Sequence, residues 1–294
     1  MQAKNKIPVI DVAKCIDCEK CITVCPTNAI CKNSSFSCSK CIKYCLTMKV
    51  PCNPDHYVFC YEQCDACGLC VSACRVDAIR WFEIKKYMKK HFDQVAQNWD
   101  KNQIHVKRTE AIAASFLQKT KLFKGMKALE FGAGTGLLSF ALKDHFADIT
   151  LMDSSAEMIK ITEEKIKSAE ATTLHPLLFD MEKEDYIAKT FDVIFSQMVM
   201  HHVDDIEKMI AKFGKLLDRG GILAIADLYK EDGSFHEMEF HGHLGFDPEQ
   251  LGETLKKNGF ININHEQCFE IERLSEDSKL KKFPVFLMTA ENRD

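Results

Sequence analysis

No apolar run in this 294-residue chain approaches the 18 or so residues that a membrane-spanning helix needs, so no membrane span is expected. Nor does the start of the chain supply an apolar stretch of signal-peptide length, because Pro8 interrupts what there is. The chain therefore reads as cytoplasmic, and its cysteines as metal ligands rather than disulfides. A surplus of positive charge is missing too. Up to Phe82 ten Lys and Arg stand against seven Asp and Glu, and beyond it 29 stand against 36. Neither part has the basic excess of a nucleic-acid binder, so no nucleic-acid partner is expected. Cysteine itself almost vanishes after Cys74: of fifteen, only Cys268 remains, in an apolar stretch that reads as core. So small a first part cannot bury much core and has to be stapled.

The staples are visible. Cys15, Cys18, Cys21 and Cys25-Pro26 follow the pattern C-x2-C-x2-C-x3-C-P, and Cys64, Cys67, Cys70 and Cys74 repeat the cysteine spacing. Three thiolates so spaced can wrap one face of a four-iron cubane, and with two copies present the fourth cysteine of each ligates the other cluster. A shift of 49 residues lays Cys15 on Cys64, Cys25 on Cys74, and Asn28-Ala29-Ile30 on Asp77-Ala78-Ile79. Zinc is the minor reading, since closed zinc sites do not call for so tight a run. Between the copies, Ser35, Cys38, Cys41 and Cys45 echo the motif without its first cysteine. Residues 31–60 are thus either a degenerate remnant or a third metal site completed by Cys31, Cys52 or Cys60. The absence of a regular fourth ligand favours the remnant.

This first part resembles the two-cluster bacterial ferredoxins, with an insertion between the halves. The expected sets are Cys15, Cys18, Cys21 and Cys74 for one [4Fe-4S] cluster, and Cys64, Cys67, Cys70 and Cys25 for the other. The resemblance implies low-potential transfer of single electrons, with a redox partner protein at the other end.

From Glu83 to Asn102, apolar residues recur at spacings of three and four without Gly, Pro or Ser, which predicts an amphipathic joining helix. Beyond residue 120, short apolar runs alternate with helical stretches, as in a parallel sheet with crossover helices. Strands are expected at 127–131, 149–152, 177–179, 191–195 and 222–226, and helices at 137–146 and 155–169. The first of these strands ends in Glu130-Phe131-Gly132-Ala133-Gly134-Thr135-Gly136. Its glycines run G-x-G-x-G rather than the G-x-G-x-x-G of dinucleotide sites. Glu130 would repel a pyrophosphate and suits an ammonium group, while Asp153 ends the next strand where an acid accepts hydrogen bonds from ribose hydroxyls. A nucleoside that also carries an ammonium describes S-adenosylmethionine better than NAD.

Roughly residues 90–290 resemble the class I S-adenosylmethionine-dependent methyltransferases, in their small-molecule and quinone-directed branch. Glu130, Gly132, Gly134 and Gly136 match the first family motif, Asp153 the ribose acid, and Asp180-Met181 the loop that brackets adenine. Phe191 to Ser196 match the fourth strand, followed by His201-His202-Val203-Asp204-Asp205. Phe92-Asp93 to Trp99-Asp100 resemble the cofactor-covering helix, with Trp99 where many members have tyrosine. The resemblance implies an α/β fold with a Rossmann-like, doubly wound, mostly parallel sheet over residues 83–294. A small N-terminal α+β ferredoxin-like iron–sulfur domain precedes it over 1–82.

Methyl transfer needs alignment and dryness more than acid–base chemistry, so a base matters only if the acceptor must lose a proton. His201 is the first candidate for that base and His241 the second. The expected activity is transfer of a methyl group to a small-molecule acceptor, with the clusters supplying or sensing electrons. The competing reading is a ferredoxin-type carrier or redox regulator whose second domain only binds S-adenosylmethionine. A metalloid acceptor needing reduction between methylations is a third.

Overall fold

The computed structural model describes residues 6–11, 13–33, 56–59, 63–83, 93, 96–235, 242–274 and 280–293. The chain divides into two compact units, Met1–Met88 and Lys89–Asp294. The middle repeat of Ser35, Cys38, Cys41 and Cys45, the cysteines Cys52 and Cys60, and most of the expected joining helix lie outside the described residues, as does His241.

In the first unit β1 (Lys6–Ile10) pairs antiparallel with β4 (Ile79–Glu83), and β2 (Ile30–Asn33) with β3 (His56–Phe59). Glu83 therefore closes a strand instead of opening the joining helix. Two one-turn helices, α1 (Lys20–Thr23) and α2 (Leu69–Ala73), carry Cys21 and Cys70 inward. The 49-residue repeat extends to backbone geometry. Left-handed residues Asp17, Glu19 and Asn28 of the first copy correspond to Ala66, Gly68 and Asp77 of the second. Their shared core is Cys21, Cys70, Ile30, Ile79 and Tyr57.

The second unit is built on a seven-stranded sheet. In chain order the strands are β5 (Lys127–Phe131), β6 (Asp148–Asp153), β7 (Leu174–Leu178), β8 (Phe191–Gln197), β9 (Leu217–Leu228), β10 (Phe260–Leu274) and β11 (Leu280–Asn292). In space they run β10-β11-β9-β8-β5-β6-β7, and β11 pairs antiparallel with both of its neighbours while the other pairings are parallel. The near-continuous apolar stretches of β5, β6 and β8 fit strands covered on both faces. One face packs against α3 (Gln103–Lys119), α4 (Leu137–Leu142) and α5 (Ala156–Ala169), with Phe116 and Phe146 both against Phe195. The other packs against α6 (Ile206–Leu216) and α7 (Pro248–Lys257), where Phe131 meets Phe213 edge-on. Asn102, Ser155, Asp205 and Asp247 cap α3, α5, α6 and α7 by accepting backbone N–H bonds.

Three expectations shift. The strand expected at 177–179 is β7, starting at Leu174. Pro176 hides it from the sequence and is tolerated because β7 is an edge strand. The helix expected through Phe146 is α-helical only to Leu142, then tightens into a 3₁₀ turn, Lys143–His145. Where the joining helix was expected, the described residues from Ala96 to Lys101 form a 3₁₀ turn, after which the unforeseen α3 begins. Among the described residues no helix is long and apolar enough to cross a membrane.

Candidate functional site

Strand order reverses at β5, with β6 and β7 to one side and β8 and β9 to the other, so the carboxyl ends of β5 and β8 flank the crevice where open α/β sheets bind ligands. The Gly132–Gly136 loop leaves β5 there. All three glycines adopt left-handed backbone angles. A Cβ on Gly132 would fall 2.5 Å from both methyls of Val199, whereas one on Gly134 would meet nothing nearer than Met158 Sδ at 4.0 Å. The first glycine thus serves close packing, and the second leaves room above the loop. Gly132→Ala is expected to cost about 2–3 kcal/mol of stability, from strain plus the Val199 clash. Gly134→Ala should cost about 1 kcal/mol yet obstruct whatever the loop cradles. Thermal melts alongside cofactor titrations separate the two effects.

Asp153, at the end of β6, binds the loop from below. Its Oδ2 accepts the Gly134 N–H at 2.7 Å and its Oδ1 the Ser155 N–H at 2.8 Å. Burial raises its carboxyl against the pull of those N–H groups. Glu130 is fully buried, and its Oε2 accepts the backbone N–H (3.1 Å) and the hydroxyl of Ser139, while Oε1 has no hydrogen-bond partner. Burial pushes this carboxyl up to about 8, overriding the Ser139 bonds.

Phe179 donates its N–H to the Asp153 carbonyl at 2.9 Å, which sets the turn after β7 beside the loop. Burial pushes the Asp180 carboxyl up, but the Lys183 ammonium bonded to it, helped by the Glu182 N–H, brings it below the usual carboxylate range. Met181 is buried, and its carbonyl accepts from Lys212 Nζ at 2.6 Å. Ser196, on β8, is buried with an unpartnered hydroxyl. Asp192 instead accepts the Lys127 N–H at the start of β5, away from the crevice, and supports the fold.

His201 sits in the 3₁₀ turn after β8 and is buried. Its Nδ1 lies 2.6 Å from Asp227 Oδ1, near the end of β9, and its backbone N–H donates to Asp227 Oδ2 at 3.2 Å. The His243 N–H donates to the His201 carbonyl at 2.8 Å. Sequence reasoning missed Asp227, though an acid closing an apolar strand was a readable signal.

Asp93 and Asp100 are tied across the loop. Ser155 Oγ donates to Asp93 at 2.6 Å, Thr135 donates to Asp100, and Lys165 Nζ bridges Asp100 Oδ2 at 2.6 Å and the Thr135 carbonyl at 2.7 Å. Asp100→Asn or Lys165→Met should raise the cofactor dissociation constant about tenfold through a faster off-rate, as expected from losing a charge-assisted bond of about 1.5 kcal/mol. Stopped-flow dissociation checks it.

In the first unit a cavity is lined by Cys25, Cys64, Cys67 and Cys70, together with Pro8 and Phe59. The fourth cysteine of the first copy therefore joins three from the second. Burial, added to by Cys64, Cys67 and Cys25, pushes the Cys70 thiol up to about 11. Cys15 and Cys18 act in the same way on Cys21, whose thiol burial raises. Cys74 and Cys25 pack on the shared core and accept the N–H groups of Ala78 (3.1 Å) and Ala29 (3.2 Å) on sulfur. The described cysteines are free of disulfides. No three of the described His, Cys, Asp and Glu converge on a single metal ion.

The family model described as a methyltransferase domain matches residues 104–265, more than half of the chain. The chain belongs to the methyltransferase domain family. Two models of the 4Fe-4S binding domain match residues 7–30 and 61–80, so the methyltransferase carries ferredoxin-type segments at its N-terminus. An uncharacterized methyltransferase of Schizosaccharomyces pombe is 27% identical over 154 residues, 47% of this chain and 54% of that one. The chain thus spans about half the length of that relative. The Haemonchus contortus phosphoethanolamine N-methyltransferase 2, solved with phosphomonomethylethanolamine and S-adenosylhomocysteine, superposes with a TM-score of 0.55 at 16% identity, over 74% of this chain and 62% of that one. The YcgJ protein of Bacillus subtilis gives 0.51 at 13% identity, over 62% and 98%. At such identities the two structures establish the class I methyltransferase fold.

Proposed function

We propose that the second unit transfers a methyl group from S-adenosylmethionine to a small-molecule acceptor, and that the first unit holds two [4Fe-4S] clusters that supply or sense electrons. The observation that carries the first part is the cradle at the end of β5. Three left-handed glycines, Asp153 holding the Gly134 N–H, and the orphaned Oε1 of Glu130 fit a ribose and an ammonium. Glu130 would take the ammonium, Asp153 the ribose hydroxyls, and Asp180 and Met181 the adenine. Ser196 and His201 would face the acceptor side. When bound, S-adenosylmethionine supplies a methyl group on a sulfonium, open to in-line attack. The chain aligns the acceptor and excludes water, and His201, oriented by Asp227, can hold a proton taken from it. The small-molecule class agrees with what the Haemonchus relative binds.

For the first unit, alternating left-handed residues at Asp17/Glu19 and Ala66/Gly68 turn backbone N–H groups into the concavities that anionic iron–sulfur sites favour. The cavity joining Cys25 to Cys64, Cys67 and Cys70 fits the crossed ligand set. The electron donor or acceptor would be a separate redox protein.

Calorimetry with S-adenosylmethionine across about pH 6 to 9 tests the cradle. Folded Glu130 keeps its proton up to about 8, above its ordinary 4.5. A cation at Oε1 favours the carboxylate, so binding below that point expels a proton. Affinity should climb by up to about tenfold per pH unit and level off above about 8. Without ligand the sign is reversed: stability falls as pH rises from about 4.5 to about 8, because the unfolded chain has already released that proton. Glu130→Gln should flatten both trends and weaken binding. A pH-independent affinity would remove Glu130 from the site, and binding without methyl transfer to any acceptor would favour the regulator reading.

A further inference from the structure

We infer that Arg108 forms an oxyanion-binding subsite for the methyl acceptor, so that the acceptor carries a carboxylate or a phosphate group. This deepens, and rests on, the methyltransferase reading. Arg108 lies on α3, beside Thr109, whose hydroxyl donates to Gln197 Oε1 at the carboxyl end of β8 (3.1 Å). Only 6% of its surface is exposed, and its Nε is buried with no hydrogen-bond partner. Among the described residues none accepts a hydrogen bond from its guanidinium or pairs with it as a salt bridge. A cation in that position is costly unless something anionic completes it.

The neighbours do not complete it. Asp227 is near enough to act on Arg108 electrostatically, but its oxygens already receive His201 Nδ1 and the N–H groups of His201 and Leu228. Arg273, on β10, adds positive charge. It bonds the Phe235 carbonyl and lies 4.2 Å over the Phe235 ring. His105, one turn before Arg108 on α3, contributes no anion: its Nδ1 lies 3.1 Å from the Trp99 carbonyl. Among the described residues Asp227 is thus the carboxylate that acts on Arg108, and it is already engaged. A planar guanidinium presents paired N–H groups that match two oxygens of a carboxylate or phosphate. Its position near the ends of β8 and β9, shared with His201 and Asp227, is the acceptor side of the crevice.

The chain has two tryptophans, and the Trp99 ring lies tilted against His105 with ring centroids 4.3 Å apart, so Trp99 reports on this site. In full-length, anaerobically prepared protein carrying Trp81→Phe, inorganic phosphate and acetate are titrated separately at constant ionic strength, with chloride as control. S-adenosylhomocysteine binding is measured in parallel. One of the two anions should saturate the Trp99 signal. Arg108→Gln should weaken that anion at least tenfold and Arg108→Lys less, with S-adenosylhomocysteine affinity kept within twofold. Phosphate binding in preference to acetate would assign a phosphate-bearing acceptor, and the reverse a carboxylate. If neither anion binds, or the Arg108→Gln protein still binds it equally, the subsite is refuted while the methyltransferase reading stands. Loss of S-adenosylhomocysteine binding by the parent protein would instead overturn that underlying reading.

Discussion

Asp227→Asn is expected to slow methyl transfer by about 10²–10⁴-fold while leaving the affinity for S-adenosylmethionine unchanged. Asp227 is fully buried and meets His201 through both the imidazole Nδ1 and the backbone N–H, so it sets the ring's position and its tautomer together. With a carboxylate there, the Nδ1 proton is held and Nε2 is the acceptor. An asparagine of the same shape can turn its amide N–H toward Nδ1, which moves the proton to Nε2 and would remove the proposed base. His201→Gln should match Asp227→Asn, and the double variant should lose no more than either alone, because the two act as a unit. Only 1% of His201 is exposed, so an acceptor reaches its ring only after covering residues move, a step that can itself limit turnover. The comparison uses an acceptor that the parent protein turns over, with melts to confirm folding. If Asp227→Asn keeps turnover within about threefold, the pair is a structural device and the acceptor needs no base.

What could be read in the sequence divides along physical lines. The two cysteine runs were legible because ligand spacing is local, and their 49-residue repeat proved to extend to matching left-handed residues such as Asp17 and Ala66. The glycine loop and the acids at Glu130 and Asp153 were legible because a strand end places them automatically. Contacts across strands were not. Nothing local joins His201 to Asp227, or Asp100 to Lys165, since each pair meets only after the sheet has assembled. Pro176 concealed β7, and α3 escaped notice because its inward face includes Arg108 and Thr109 and so breaks the apolar periodicity. That break is itself informative. A charged residue spent on a buried helix face is where local pattern yields to something other than packing.

The cysteines carry the other large effect. Cys25→Ser should remove the same cluster as Cys64→Ser, and not the one removed by Cys15→Ser, although Cys25 belongs to the first copy of the repeat. The ground is the cavity that Cys25 shares with Cys64, Cys67 and Cys70. Iron and acid-labile sulfide on anaerobic protein should fall from about eight of each to about four in every single variant. Counting alone therefore cannot distinguish the pairs, and electron paramagnetic resonance of the surviving reduced cluster decides. The Cys25→Ser and Cys64→Ser spectra should coincide, with Cys15→Ser and Cys74→Ser forming the second matching pair. Grouping by sequence copy instead would mean that each run closes its own cubane. Zinc without sulfide would make the unit a scaffold. With crossed ligation confirmed, each cluster ties both copies together, so losing one thiolate should loosen the whole small core around Cys21, Cys70, Ile30 and Ile79 and lower the unit's melting temperature.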